Sequence, residues 1–145
     1  MSETLRVREM ACFALHSAAR AVTGYYRPLL DRLGLTYPQF LILVALWEAD
    51  GRTVTALGEE LDLDSGTVSP LLKRLEAAGL VERRREAADE RVVTVHLTED
   101  GKALEKDGCE IPGTIAAASD MTVEEILALR DQINRFTESI RKNTN

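Results

Sequence analysis

The stretch from residue 53 to residue 101 constrains the fold more than any other part of the chain. Within it Val68, Leu71, Leu72 and Leu75 fall at i, i+3, i+4 and i+7, the spacing of one apolar helix face. Ser65 or Asp64 can cap that helix, and its opposite face presents Gly66, Thr67, Pro70, Lys73 and Arg74. A preceding helix is expected to be capped by Thr55, to carry Glu59 and Glu60 in its first half, and to bury Leu57, Leu61 and Leu63. The connector Asp62-Leu63-Asp64 is short. Gly79 to Arg85 and Arg91 to Leu97 then read as strands around the charged turn Glu86-Ala87-Ala88-Asp89-Glu90, the second alternating Val93, Val95 and Leu97 against Val92, Thr94 and His96. An ordinary helical hairpin accounts for the two helices alone. With a charged β-hairpin directly behind them, the pattern predicts a winged helix-turn-helix, whose second helix enters a major groove and whose hairpin is the wing. Pro70 removes a helix donor and is read as tolerated near the helix start, where it lets the backbone approach DNA.

The flanks read as helices. Leu5 to Arg20 has helical spacing, Tyr25 to Leu33 forms a shorter second helix closed by Gly34, and Pro38 opens a third that runs to about Asp50 with Gly51 as its stop. Thr98 begins a further helix, Ile111-Pro112-Gly113 marks a bend, and Thr122-Val123-Glu124-Glu125 is a capping box. Beyond it Ile126, Leu129, Ile133, Phe136 and Ile140 form a seam suited to another helix, in the same chain or in a second copy. The expected fold is mainly α with a small β-hairpin wing, one domain in which residues 1–34 and 102–145 supply dimerisation helices. A homodimer pairs two recognition helices for a palindromic site.

A formal net charge of −6 does not exclude nucleic acid, because phosphate contacts are local, acting within roughly one Debye length of 8–10 Å. Lys73, Arg74, Arg83, Arg84, Arg85 and Arg91 are grouped, with Glu82, Glu86, Asp89 and Glu90 interleaved. Arg83 to Arg85 fit either a DNA-facing wing or a solvated strand surface. The N-terminus has no apolar signal core, and the longest apolar run, Phe40 to Trp47, is too short to span a bilayer, so a soluble cytoplasmic protein without membrane contact is expected. Zinc-ligand spacing is absent, and neither metal nor cofactor is expected. Two well-separated cysteines in that compartment are expected to be free or redox-active. If the first helical segments fold back on each other, Cys12 has His16 one turn away and Tyr26 and Tyr37 within reach, a thiol among donors. The alternative is that Cys12 is a small packing residue and the tyrosines are amphipathic packing elements.

The chain resembles the MarR family of winged-helix regulators through Asp89-x-Arg91 and Leu97-Thr98-x-x-Gly101. Cys12-Phe13-Ala14-Leu15, Tyr26-Arg27-Pro28-Leu29-Leu30-Asp31, Leu35-Thr36-Tyr37-Pro38-Gln39 and Ser65 to Lys73 are similar to its organic-hydroperoxide-sensing branch, OhrR. The resemblance implies a dimeric repressor, not an enzyme, that binds double-stranded operator DNA when reduced and releases it when an organic hydroperoxide oxidises it. Cys12 would be the peroxidatic cysteine, with Tyr26 and Tyr37 donating to its sulfur. Ser65, Thr67, Ser69, Pro70, Lys73 and Arg74 of the helix and Arg84, Asp89 and Arg91 of the wing would face DNA. His16 stands where the family often has a tyrosine, and Cys109 precedes the usual position of a resolving cysteine, near Ala116. Two routes stay open: Cys109 bonds to Cys12 of the partner subunit, or a low-molecular-weight thiol caps the sulfenic acid. Competing functions are a repressor released by a small aromatic ligand and a thiol-dependent peroxidase.

Overall fold

In the computed structural model, which describes residues 4–144, a single 3₁₀ turn at Val7–Glu9 leads into helix α1, Ala11–Asp31. This corrects the expectation of two helices. Met10 is extended, so the helix starts at Ala11 rather than Leu5, and it then runs unbroken through Gly24 and Pro28. Thr23, between the two expected helices, donates its hydroxyl back to the Ala19 carbonyl at 2.9 Å within the helical pattern. The expected stop is present: Gly34 takes φ +71°, and the Leu35 N–H returns to the Leu30 carbonyl.

Thr36 caps α2, Tyr37–Glu48, in a full capping box with Gln39, and Pro38 occupies the first turn. Phe40, Ile42, Leu43 and Leu46 of α2 are buried to 2% exposure or less and form the centre of the core. Helix α3, Val54–Leu61, is capped by Thr53 and not by Thr55, and Glu59 and Glu60 fall in its second half. The cause is a two-residue strand β1, Arg52–Thr53, too short to have a readable period, which holds Thr53 extended two residues earlier than expected. Asp62 turns through the left-handed region, and Asp64 caps α4, Ser65–Ala77.

The expected stripe is intact: Val68, Leu71, Leu72 and Leu75 are all buried against the α2 and α3 core. Strands β2, Val81–Arg85, and β3, Val93–Leu97, form the antiparallel hairpin, and β1 joins β3 on its other edge to give the order β1-β3-β2. As the middle strand, β3 buries Thr94 as well as Val95, so its alternation is less clean than a two-stranded wing would show.

The Leu97-Thr98-x-x-Gly101 segment is the joint of this unit. Thr98 caps α5, Glu99–Ala103, while its hydroxyl donates to the Gly79 carbonyl at 2.6 Å and its N–H to the Leu80 carbonyl at 3.1 Å. Gly101 lies where a Cβ would overlap the Leu80 carbonyl oxygen, and its own carbonyl accepts the Trp47 indole N–H at 2.9 Å. Helix α6, Glu105–Gly108, follows, and Gly108 lets the Trp47 ring approach. The chain divides into two units, one to Cys109 and one from Glu110 onward. The second contains α7, Ile111–Ala118, which begins at the Ile111-Pro112-Gly113 segment expected to bend or break the helix from Thr98, and α8, Val123–Lys142, which opens on the expected Thr122–Glu125 capping box and buries none of its residues. No helix among the described residues is long and apolar enough to cross a membrane.

Candidate DNA interface and thiol site

The candidate DNA-facing surface is built outward from the α4 stripe. With Val68, Leu71, Leu72 and Leu75 facing the core, helical geometry leaves Ser65, Gly66, Thr67, Ser69, Pro70, Lys73 and Arg74 exposed. Asp64 accepts both the backbone N–H of Thr67 at 2.8 Å and its hydroxyl at 3.0 Å, which fixes the first turn of the helix. At the wing, Asp89 Oδ1 accepts the Arg91 N–H at 3.0 Å and its Nε–H at 3.2 Å, and Oδ2 accepts Nη2–H at 3.4 Å. Those bonds hold the Asp89 carboxyl below its ordinary range. Arg91 is nonetheless 91% exposed at its side chain, so the wing tip presents a cation oriented by a neighbour.

Arg84 is paired with Glu82 at 2.6 Å, and Arg85 donates to the Glu90 carbonyl at 2.7 Å, which ties down the loop. Arg83 turns inward to Glu76 of α4. A groove of about 470 Å³ separates α4 from the wing, lined by Thr53, Thr55, Ser69, Leu72, Arg83 and Arg91 among others. Thr53 and Thr55 were not foreseen as part of this surface, since nothing in their local sequence marks them. Arg52 was also missed. It donates to the Ala49 carbonyl at 3.0 Å and pairs with Glu60 and Glu48, fixing α3 to the base of the wing.

The thiol site is not assembled within one chain. Cys12 and His16 are exposed in the first two turns of α1. Tyr26 lies fourteen residues further along the same unbroken helix, and at 1.5 Å per residue that is about 21 Å. The fold-back that would have brought Tyr26 and Tyr37 to the Cys12 of their own chain is therefore absent. What the structure does bring together is Tyr26 and Tyr37, with rings stacked at a centroid distance of 5.6 Å and an interplanar angle of 27°. Burial raises the pKa of both, with the neighbouring phenols Tyr37 and Tyr25 adding to the effect at Tyr26, so both stay protonated O–H donors at neutral pH. Cys109 is a free, exposed cysteine directly after α6.

Comparison with known proteins agrees with this architecture. Residues 24–107 match the family described as transcriptional regulator SarA/Rot. The organic hydroperoxide resistance transcriptional regulator of Bacillus subtilis is 42% identical over 95% of this chain and 94% of its own. The regulator MgrA of Staphylococcus aureus is 38% identical over 89% of this chain and 88% of its own. Among solved structures, AbfR of Staphylococcus epidermidis, reduced and bound to DNA, is 31% identical with a TM-score of 0.75, covering 89% of this chain and 90% of that one. AbfR has also been solved overoxidized on DNA and in a disulfide-formed state. These relatives are regulators rather than enzymes, which removes the peroxidase alternative. A helix-turn-helix with a cationic outer face, an Asp-oriented arginine at the tip of its hairpin and end-to-end similarity to such proteins lead to one assignment: the chain belongs to the MarR/SarA-type family of winged-helix, DNA-binding transcriptional regulators.

Proposed function

We propose that the chain is a homodimeric repressor that holds a palindromic operator when reduced and releases it when an organic hydroperoxide oxidises Cys12. The observation that carries the reading is the separation of an exposed thiol from a stacked pair of phenol donors, Tyr26 buried and Tyr37 half-buried, by fourteen residues of one continuous helix. Inside one chain the two halves have no use for each other. In a two-fold dimer the Tyr26–Tyr37 pair of one subunit serves the Cys12 of the partner subunit, and each dimer carries two such composite sites. Each unit exposes apolar side chains of its own that a second copy can cover, Phe13 on α1 in the first and Leu129, Phe136 and Ile140 on α8 in the second.

In the reaction the Cys12 sulfur attacks the peroxide, an S–O bond forms as the O–O bond breaks, and an alcohol leaves with the proton. The sulfur is oxidised by two electrons to a sulfenic acid, which a second thiol converts to a disulfide with loss of water. That thiol is either Cys109 or a small cellular thiol. A sulfur that has gained oxygen or a disulfide partner no longer accepts the same two phenol bonds, so the tyrosines must move. Tyr37 is the first residue of α2, and α2 supplies the core on which α4 rests. Displacement there tilts the DNA-facing helix.

A gel-shift titration on the DNA upstream of the protein's own gene, with cumene hydroperoxide and then a reductant, tests the reading. Wild type should release and rebind, Cys12→Ser should bind and stay bound, and release of Cys12→Ser by the peroxide would overturn the assignment. The competing reading, release by a small aromatic ligand, has one specific support: a cavity of about 380 Å³ lined by Thr23, Arg27, Leu30, Leu35, Tyr37 and Pro38 among others, within the size range of ligand pockets. Under that reading Cys12→Ser responds to ligand like wild type.

A further inference from the structure

Glu76 lies in the last turn of α4 and Arg83 at the middle of β2. Glu76 Oε2 accepts the Arg83 backbone N–H at 3.0 Å and its Nε–H at 3.4 Å, while Oε1 accepts Nη2–H at 3.3 Å. β2 is an edge strand, paired to β3 alone, so the Glu76 carboxylate satisfies an N–H that the sheet leaves open. The three bonds hold the Glu76 carboxyl below its ordinary range. Of the three consecutive arginines, Arg84 pairs within its own strand and Arg85, at the strand's end, with the adjoining turn, whereas Arg83 joins the strand to α4. Those two elements are the ones that carry the DNA-facing residues.

We propose that Glu76 is a specificity-determining positioning residue: through Arg83 it fixes the angle between the recognition helix and the wing and keeps the Arg83 guanidinium off the phosphate backbone. The proposal rests on the reading of α4 and the hairpin as the operator-binding surfaces. Specificity is a difference between two affinities, and the clamp acts on both. A fixed angle favours duplexes whose major-groove and minor-groove contacts fall in one register. A neutralised Arg83 withholds a sequence-independent phosphate contact that would strengthen binding to every duplex.

The experiment uses the full-length protein, a duplex enriched from a random-sequence pool by the wild-type protein, and a scrambled duplex of equal length. Affinity for both is measured across a salt series. A phosphate contact changes the slope of log affinity against log salt by about 0.9, hence about 1.8 for two subunits. Glu76→Gln should bind the scrambled duplex more tightly, steepen its slope by up to about 1.8, and lose roughly tenfold in preference for the enriched duplex, a modest factor because the pair is partly exposed. Arg83→Ala should lose a similar preference with the wild-type slope, and adding Arg83→Ala to Glu76→Gln should restore that slope. A merely structural role would move affinity without this pattern of slopes. Arg83→Lys, which keeps the charge but not the fork, should behave like Arg83→Ala in preference and guards against a folding artefact. Flattening of the slope by Arg83→Ala, or wild-type preference and slope in Glu76→Gln, would overturn the clamp. Failure of the wild-type protein to enrich any duplex would overturn the DNA-binding reading along with it.

Discussion

The composite-site arrangement makes a prediction that no single-chain site shares. Two defective proteins are prepared, Cys12→Ser, which lacks the thiol, and Tyr26→Phe/Tyr37→Phe, which lacks both phenol donors while keeping rings that stack at 5.6 Å. A hydrogen bond reaches about 3 Å, and Tyr26, on which Tyr37 stacks, lies about 21 Å along α1 from the thiol of its own chain. Within a subunit the two lesions are thus independent. Bonds to a charged acceptor contribute about 1.5–3 kcal/mol each, so losing a donor should slow oxidation of Cys12 by at least about tenfold.

When the two proteins are mixed in equal amounts and exchange subunits, the heterodimer pairs an intact Cys12 with the intact Tyr26 and Tyr37 of the partner subunit. Random exchange places about half of all Cys12 thiols in such heterodimers. The assay is trapping of the sulfenic acid with a dimedone-type reagent under a small excess of organic hydroperoxide. Oxidation should become biphasic after mixing, with half of the thiols recovering the wild-type rate. A mixture that oxidises as slowly as the tyrosine variant alone would refute the cross-subunit reading, because donors acting within a chain gain nothing from a partner.

Three further outcomes are expected. Arg91→Ala should leave thermal stability unchanged, since its side chain is 91% exposed, while operator affinity falls and the salt slope flattens by about 1.8 per dimer. Gly101→Ala sets overpacking of about 1–3 kcal/mol against the Leu80 carbonyl, plus about 1 kcal/mol for the strained Thr98–Leu80 bond, against about 1 kcal/mol of helix propensity gained. The net loss of roughly 2 kcal/mol should lower the melting temperature by about 6 °C, and an unchanged melt would mean the turn is not confined as described. The raised pKa values of Tyr26 and Tyr37 imply stability fully present below their ordinary value of 10.0 and lost as pH rises through the folded values. A urea midpoint that falls above that pH in wild type, and falls less in Tyr37→Phe, checks this.

The parts of the fold that could be read from sequence are those where one element's own periodicity meets one buried surface. The α4 stripe and the Thr122 capping box are of this kind, because each is decided within four residues of itself. The missed features are decided elsewhere. Thr53 rather than Thr55 caps α3 because β3 recruits Arg52 and Thr53 into the sheet. The expected gap between Arg20 and Tyr25 is absent, because Gly24 has open space around it and Pro28 costs α1 only one donor near its end. The site was legible as a residue list but not as a geometry. Spacing along the sequence does not show whether neighbouring helical segments fold back or run on, and here one continuous helix keeps Cys12 apart from Tyr26 of its own chain.

On the proposed mechanism, the continuity of α1 carries a small chemical change toward DNA. An isolated thiol on a mobile loop would accommodate an added oxygen by moving itself. Here the thiol is anchored in the first turn of a 21-residue helix, and the proposed donors sit where α1 meets the capped start of α2. Thr36 and Gln39 fix that start through reciprocal bonds at 3.0 and 3.4 Å, so Tyr37 has little freedom to shift independently of α2. The opposite end of α2 is held just as firmly, by the Trp47 bond to Gly101 and by Asp50, which accepts the Leu97 N–H at 2.9 Å at the base of the wing. A rearrangement of the tyrosine pair must therefore be taken up by a tilt of α2 as a body. Since α4 rests on α2 and the wing root is tied to its far end, one tilt changes both of the proposed DNA-contacting elements together, as the proposed release of an operator requires.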